Sequence, residues 1–352
     1  MVRQWLVSLG LVLLLAVAAQ GVTFNHVVTL GDSLLDDTDN SRSPVAAEHV
    51  ANRLGVGLTK LAVSGSTSDD LIANGQHTQA AAQFGNGDLA MLWIGGNDFF
   101  DSVLGITFGF YGFLNDLEAN VDTALSTLRG AGMEVVVFNL PDMSEVPVTL
   151  GISNFRTATL QWNDRLATLA DNHGAHLVDV FSLFEDLNAN PSDFDLLGHT
   201  PVLGPSSGCQ YCTFADAIHP SSFAQGYIAN IAFEVLNSAY DPQGAMPLED
   251  LSIVELALLA DLLAGDFNEN DLVDGSDLSD WSTGFGMTTA ATHFDGDADG
   301  DGDVAGSDFL IWQQQAGSSV ALSVPQQAVP EPASGVLVSA GILLVAIHRR
   351  KR

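Results

Sequence analysis

Basic residues are the scarcest chemistry in this chain. Across 352 residues there are 11 Lys and Arg against 43 Asp and Glu, a formal net charge of -32 at pH 7. Nucleic-acid recognition rests on Lys and Arg at the phosphates, so that class of partner is excluded. The carboxylate surplus suits solubility and cation binding instead. Cysteine is nearly absent, with Cys209 and Cys212 of Cys-Gln-Tyr-Cys as the two examples. Two thiols do not complete a zinc shell. In an exported chain a close pair reads as a loop-stapling disulfide rather than a redox centre. Charged residues make up only 15% and hydrophobic ones 47%, so the bulk of the chain is a folded globule with room for one or two further modules.

Export is read from the N-terminus. Arg3, an apolar run from Trp5 to Ala18 and small residues at Ala16, Ala18 and Ala19 form a secretory signal over 1–21. Cleavage is expected near Ala19 to Gly21, against the alternative of an uncleaved anchor.

Residues 22–240 alternate strand-like and helix-like patterns. The strand candidates are 26–30, 58–63, 88–94, 133–139 and 176–180, nearly continuous in apolar residues as strands buried on both faces are. Amphipathic stretches such as Leu114 to Arg129 and Asn154 to Asp171 lie between them, and a last helix runs from Ser222 through Leu236. This predicts a three-layer α/β/α domain on a mainly parallel, five-stranded, flavodoxin-like sheet. A linker covers 241–254, a repeat module 255–317, a second flexible linker 318–332 and a terminal tail 333–352.

The chemistry starts at Thr29-Leu30-Gly31-Asp32-Ser33-Leu34. A glycine at the end of the first strand lets the backbone turn sharply, and Ser33 then falls where ligands bind in α/β sheets. A nucleophilic serine needs a base, a carboxylate to orient it and donors for the oxyanion. Asp216-Ala217-Ile218-His219-Pro220 supplies the base and its orienter, three residues apart, with Pro220 fixing the start of the next helix. Oxyanion donors are expected from backbone N–H groups within 62–67 and from Asn97 in Gly95-Gly96-Asn97-Asp98. Asp32 is expected to brace its loop, and Asp98 to be structural. His26, His49, His77, His173, His176 and His199 have no acid at comparable spacing and receive no role. A competing signal is Gly204-Pro205-Ser206-Ser207-Gly208, which fits the Gly-x-Ser-x-Gly elbow, but its proline-rich flanks suit a loop rather than strand and helix.

With four blocks present in order, residues 26 to about 238 resemble a GDSL esterase of the SGNH-hydrolase superfamily. The resemblance implies that Ser33 is the nucleophile, His219 the general base and then acid, and Asp216 the orienter. It implies an oxyanion hole from the Ser33 N–H, the Gly65 N–H and the Asn97 side chain. Phe138-Asn139-Leu140-Pro141 and Asn-Pro-Ser at 190–192 extend it. Leu61, where an aromatic is frequent, and Ser221, in place of Thr, depart from it without removing a catalytic group. The substrate is an ester of a lipid or an acylated carbohydrate. Phe99, Phe100, Phe108, Phe110 and Phe113 favour an acyl chain unless they are core. The alternatives are a carbohydrate O-deacetylase and a non-catalytic surface or matrix attachment protein.

Gly265–Gly286 and Gly296–Gly317 align without gaps at an offset of 31 and share Gly-Ser-Asp and a Trp. Calcium loops present oxygens at alternating positions and a carboxylate at position 12. The first repeat offers Asp266, Asn268, Asn270, the Leu272 carbonyl, Asp274 and Asp277; the second offers Asp297, Asp299, Asp301, the Asp303 carbonyl and Asp308. The pattern is similar to the dockerin type I repeat, which implies structural calcium in an EF-hand-like module and a cohesin-like partner. Asp271 stands at position 6 where glycine eases the turn, and Ala305 removes one ligand at position 9. The alternative is an acidic spacer binding ions diffusely. No cofactor is expected in the ester chemistry.

Pro330-Glu331-Pro332, a 13-residue apolar run from Gly335 to Ile347 and a basic end resemble a PEP-CTERM sorting tail. That resemblance implies an exosortase-type processing enzyme and a cell-surface or extracellular location. An ordinary C-terminal tail anchor is the alternative.

Overall fold

The computed structural model describes residues 22–36, 44–205, 211–241, 244 and 247–319. The signal segment 1–21, Cys209, and the linker and tail from 320 onward lie outside the described residues.

Five parallel strands build the sheet: β1 (His26–Gly31), β2 (Gly57–Lys60), β3 (Asp88–Trp93), β4 (Glu134–Phe138) and β5 (His176–Val178). Their order is β2-β1-β3-β4-β5, so the winding direction reverses at β1. A crevice outside the carboxyl ends of β1 and β3 follows from that reversal. The register places Gly31 opposite Trp93, which ends both strands at one level. Val27, Val28 and Leu30 of β1, Leu89 and Ala90 of β3 and Val135 of β4 are fully buried. Burial on both faces is why these strands read as unbroken apolar runs.

Helices cover the sheet in a three-layer α/β/α arrangement. The helix Phe113–Gly130 buries Leu114, Leu117, Val121, Ala124, Leu125 and Leu128, an apolar stripe of helical period. Asn154–His173 buries Phe155, Trp162 and Leu166 and stops at Gly174, which takes the left-handed conformation at φ 62°. Among the described residues no helix is long and apolar enough to cross a membrane.

Contacts group the chain into two compact units, Met1–Ala189 with Ala224–Leu251, and Asn190–Phe223 with Ser252–Arg352. The first carries the five-stranded sheet. In the second, β6 (Val202–Pro205) and β7 (Cys212–Phe214) pair in parallel as a two-stranded ribbon. The sequence suggested a loop around the Gly204–Gly208 motif, because Pro201, Pro205 and the Cys pair flank it; Val202–Pro205 is instead a strand, and pairing of Val202 with Cys212 supplies what propensity does not. Cys212 is disulfide-bonded.

The repeat has a small core of Leu197, Ala257, Ala264, Phe267 and Ala298, with Trp281 and Trp312 packed against it. Leu197 shows why the 190–223 stretch groups with this module. The two halves exchange equivalent bonds. Trp281 Nε1 donates to the Ala305 carbonyl at 2.9 Å, and Trp312 Nε1 donates to the Asp274 carbonyl at 3.0 Å. Exchanging the two repeats turns either bond into the other, since Trp281 corresponds to Trp312 and Asp274 to Ala305. Gly265 and Gly296 match too: an added Cβ would lie 3.0 Å from the Trp312 Cα in one case and 2.6 Å from the Trp281 Cα in the other. Each glycine lets the other repeat's helix come close.

Candidate active site

β1 runs into Gly31 at φ 124°, a conformation that side chains resist. A Cβ there would sit 1.7 Å from the Trp93 carbonyl oxygen, so no other residue fits. Gln76, 2% exposed, holds Gly31 through both of its backbone polar groups. Its Oε1 accepts from the Gly31 N–H at 2.8 Å, and its Nε2 donates to the Gly31 carbonyl at 3.0 Å. Asp32 is 1% exposed and accepts from the Leu34 N–H at 3.0 Å, bracing the turn. Ser33, 9% exposed, thus stands on a turn fixed on either side.

Past β2 the chain still tracks β1, with the Leu61 N–H on the Thr29 carbonyl and the Val63 N–H on the Gly31 carbonyl. The Asp36 carboxylate then accepts the Ser64 N–H at 2.9 Å. Gly65 follows at φ 79° with nothing near its missing Cβ, so its backbone conformation demands glycine and packing does not.

β3 turns at Gly95, φ 122°, into the helix Gly96–Asp101. Asn97 Nδ2 donates to the Ser66 carbonyl at 2.9 Å. An amide carries two N–H groups, so this bond aims the side chain while using one of them. Asp98 binds the same strip, accepting from the Ser68 N–H at 2.9 Å and the Ser68 hydroxyl at 2.6 Å. Asn120 donates to that hydroxyl at 3.1 Å and to Asp69 at 2.7 Å. Burial pushes the Asp98 carboxyl up to about 6, against the opposing pull of the Ser68 bonds. The loops bearing Gly65 and Asn97 are thereby stitched together.

The second unit holds the Asp–His pair. Beyond β7 a tight loop closes through the Ala215 N–H on the His219 carbonyl at 2.9 Å and the Ser221 N–H on the Thr213 carbonyl at 3.0 Å. Inside it Asp216 Oδ1 accepts the Ile218 and His219 N–H groups, each at 2.8 Å. Asp216 Oδ2 meets His219 Nδ1 at 2.7 Å. A carboxylate only accepts, so Nδ1 carries the proton and Nε2 of the neutral ring is the basic nitrogen. Burial pushes the Asp216 pKa up, but the His219 bond and charge with the two backbone donors outweigh it, holding the carboxyl at about 2. Asp216 therefore stays ionised and fixes the ring.

The acidic loops take matching conformations. Positions 4 and 6 are left-handed in both, Glu269 at 55° and Asp271 at 65° in the first, Gly300 at 72° and Gly302 at 85° in the second. Asp271 takes the position-6 conformation that glycine would ease, as aspartate does more readily than most residues. Asp277 Oδ2 accepts the Asp274 N–H at 2.8 Å, and Asp308 Oδ2 accepts the Ala305 N–H at 2.7 Å. The Asn270 N–H binds Asp266, and the Gly302 N–H binds Asp297. Asp297, Asp299 and Asp308 each bring a carboxylate oxygen within 4.8 Å of the others. Burial and then repulsion from Asp308 and Asp301 push Asp297 and Asp299 up. Crowded hard oxygen donors of this kind fit a calcium ion. The first loop has Asn268 and Asn270 as neutral oxygen donors where the second has aspartates. Asp301 and Asp303 stand at positions 5 and 7 of the second loop, and Leu272 at position 7 of the first.

Sequence reasoning missed Gln76, Asp36 and the Ser68–Asn120 pair. Their partners lie far along the chain, and no local spacing announces them.

A doubly wound parallel sheet with a serine on the turn after β1, in a chain that carries an Asp–His pair ahead of the helix Ser222–Tyr240, suits an ester-bond hydrolase, and the family match states that class. The chain matches the GDSL-like lipase/acylhydrolase family over residues 29–226, more than half its length, and belongs to that family. Among solved structures, a lipolytic G-D-S-L family protein from Veillonella parvula is similar at 18% identity and TM-score 0.42, covering 60% of this chain and 97% of that one. Axe2, an acetylxylan esterase from Geobacillus stearothermophilus, is similar at 17% identity and TM-score 0.43, covering 62% and 96%. No curated protein matches the chain.

Proposed function

We propose that the chain is an exported serine esterase that cleaves carboxylic esters through an acyl-Ser33 intermediate. The observation that carries this reading is the 2.7 Å bond between His219 Nδ1 and an ionised Asp216, which fixes the ring and makes Nε2 the nitrogen that acts as base. Ser33 Oγ attacks the ester carbonyl carbon while His219 Nε2 takes the hydroxyl proton. The carbonyl oxygen becomes an oxyanion, received by the Ser33 N–H, the Gly65 N–H and the Asn97 amide. Collapse expels the alcohol, which takes the proton from His219. A water, deprotonated by the same nitrogen, then attacks the acyl group and releases the acid and Ser33.

The repeat binds structural calcium in this reading, through the ligands named above, and contributes rigidity rather than chemistry. The dockerin-like pattern supports a second reading of the substrate, an O-acetylated polysaccharide, if a cohesin-like partner recruits the enzyme to such a polymer. The sorting-tail resemblance supports cell-surface or extracellular placement through an exosortase-type enzyme.

Hydrolysis of p-nitrophenyl esters from acetate to palmitate by the secreted chain, beside Ser33→Ala, tests the proposal. Activity abolished by the substitution supports it, and negligible rates for both proteins across the panel contradict it. Acetate release from acetylated xylan, with little turnover of longer acyl esters, favours the second substrate.

A further inference from the structure

The phenylalanines after the Asn97 block divide sharply. Phe99 is fully buried, edge-on to Phe113 at 5.1 Å, and belongs to the core. Leu104, Phe108 and Phe110 are 62%, 72% and 71% exposed. They are not displayed on a loose loop. Leu104 and Phe108 stand one helical turn apart, the Phe108 N–H bonding the Gly105 carbonyl at 3.0 Å. Gly109, at φ 79°, then reverses the chain, and the Phe110 N–H returns to the same Gly105 carbonyl at 2.8 Å. Three large apolar side chains are therefore held on one knuckle.

A second tip stands beside it. After β4 the short turn Pro147–Thr149 exposes Val148 at 55% and Leu150 at 70%. Its base is tied to the knuckle where Asn154 Nδ2 donates to the Thr107 carbonyl at 3.1 Å. The knuckle leaves the carboxyl end of β3 and the turn that of β4, the sheet edge that also bears Ser33 and Asn97. Exposed apolar side chains gathered in one place mark a contact surface.

Charge selects the occupant. Residues 96–116 contain Asp98, Asp101 and Asp116, and residues 141–153 contain Asp142 and Glu145, with no Lys or Arg in either stretch. Arg156, the next cation, is paired with Asp142 and Glu185. An anionic lipid headgroup would find no counter-charge and would be repelled. A second copy brings another net charge of -32. What remains is an uncharged hydrocarbon phase.

We propose that Leu104, Phe108 and Phe110, with Val148 and Leu150, form a docking surface for the hydrocarbon of uncharged lipid esters and direct the enzyme to long acyl chains. The chain-length consequence rests on the serine-esterase reading, whereas the docking does not.

The test uses the full-length Ser33→Ala chain and the same chain carrying Phe108→Ser and Phe110→Ser, mixed with triolein emulsion and floated. Both carry the same termini, so the difference between them reports the knuckle. About tenfold weaker association of the triple variant is expected, with neither chain bound to phosphatidylglycerol vesicles. Equal flotation of the two chains would overturn the proposal. So would equal binding to anionic vesicles, or a dimer that the Phe substitutions dissociate. On the active chain, Phe108→Ser with Phe110→Ser should lower the palmitate-to-acetate ratio of kcat/KM by about tenfold. An unchanged ratio would overturn the acyl-chain part. Flotation requires no turnover, so failure of the esterase reading and failure of docking are distinguishable. Unchanged melting curves would show that the substitutions act on the surface, where these side chains lie.

Discussion

Asp98→Asn should remove a pH dependence of stability centred near the unusual acidity of this side chain. Asp98 is partly buried, and its carboxyl titrates at about 6, raised from 3.8 chiefly by desolvation. The fold therefore favours the protonated acid. The contribution is fully present below the unfolded value and is lost as pH rises through the folded one. The gap is about two pH units at roughly 1.4 kcal/mol each, giving a ceiling of about 3 kcal/mol, reduced by whatever solvent reaches the group. Asparagine mimics the neutral acid. Its Oδ1 keeps the Ser68 N–H, now 2.9 Å from Asp98, and its amide can donate to the Ser68 hydroxyl. The variant should match wild type to within about 1 kcal/mol near pH 4 and exceed it by about 2 to 3 kcal/mol near pH 8. Urea unfolding of both chains at matched salt across that range measures the difference. A constant offset at every pH would refute the reasoning.

Three further outcomes follow from the same geometry. Asn97→Ala, which removes the amide aimed by Ser66, should lower kcat for a p-nitrophenyl ester about 100- to 1000-fold with little change in KM. Trp281→Phe and Trp312→Phe each delete one of two equivalent hydrogen bonds, so calorimetry should show similar losses of about 1 kcal/mol in the repeat. Calcium chelation should lower the melting temperature of the repeat, with recovery on adding calcium; at about 100-fold excess over Kd the gain is roughly 2.7 kcal/mol. Identical melting curves with and without calcium would contradict the ligand assignment.

What could be read from the sequence followed from what each signal needs. The β4 run was legible because a strand covered on both faces writes its burial directly into consecutive apolar residues. Asp216 and His219 were legible because three residues suffice to bring the two side chains together, and the structure joins them at 2.7 Å. Gln76 was not, since its grip on Gly31 depends on how a helix start packs 45 residues away. The strand Val202–Pro205 was hidden because Pro201 and Pro205 beside the Gly204 motif suit a loop, and pairing with β7 creates the strand. The phenylalanines marked a mixed segment without separating Phe99 in the core from Phe108 on the surface, as helix phase alone decides it. The grouping of 190–223 with the repeat was likewise hidden, because it rests on long-range contacts such as Leu197 in the repeat's core and the His199–Glu269 contact at 3.0 Å.

The proposed chemistry stands or falls on Ser33 as the residue that carries the acyl group. Incubation of the active chain with a p-nitrophenyl alkylphosphonate, followed by peptide mass analysis, tests it most directly. One phosphonyl group is expected on the peptide holding Ser33, formed in step with loss of esterase activity and slowed strongly in Asp216→Asn. Esterase activity that persists with Ser33 fully modified, or stoichiometric labelling of another residue, would contradict it.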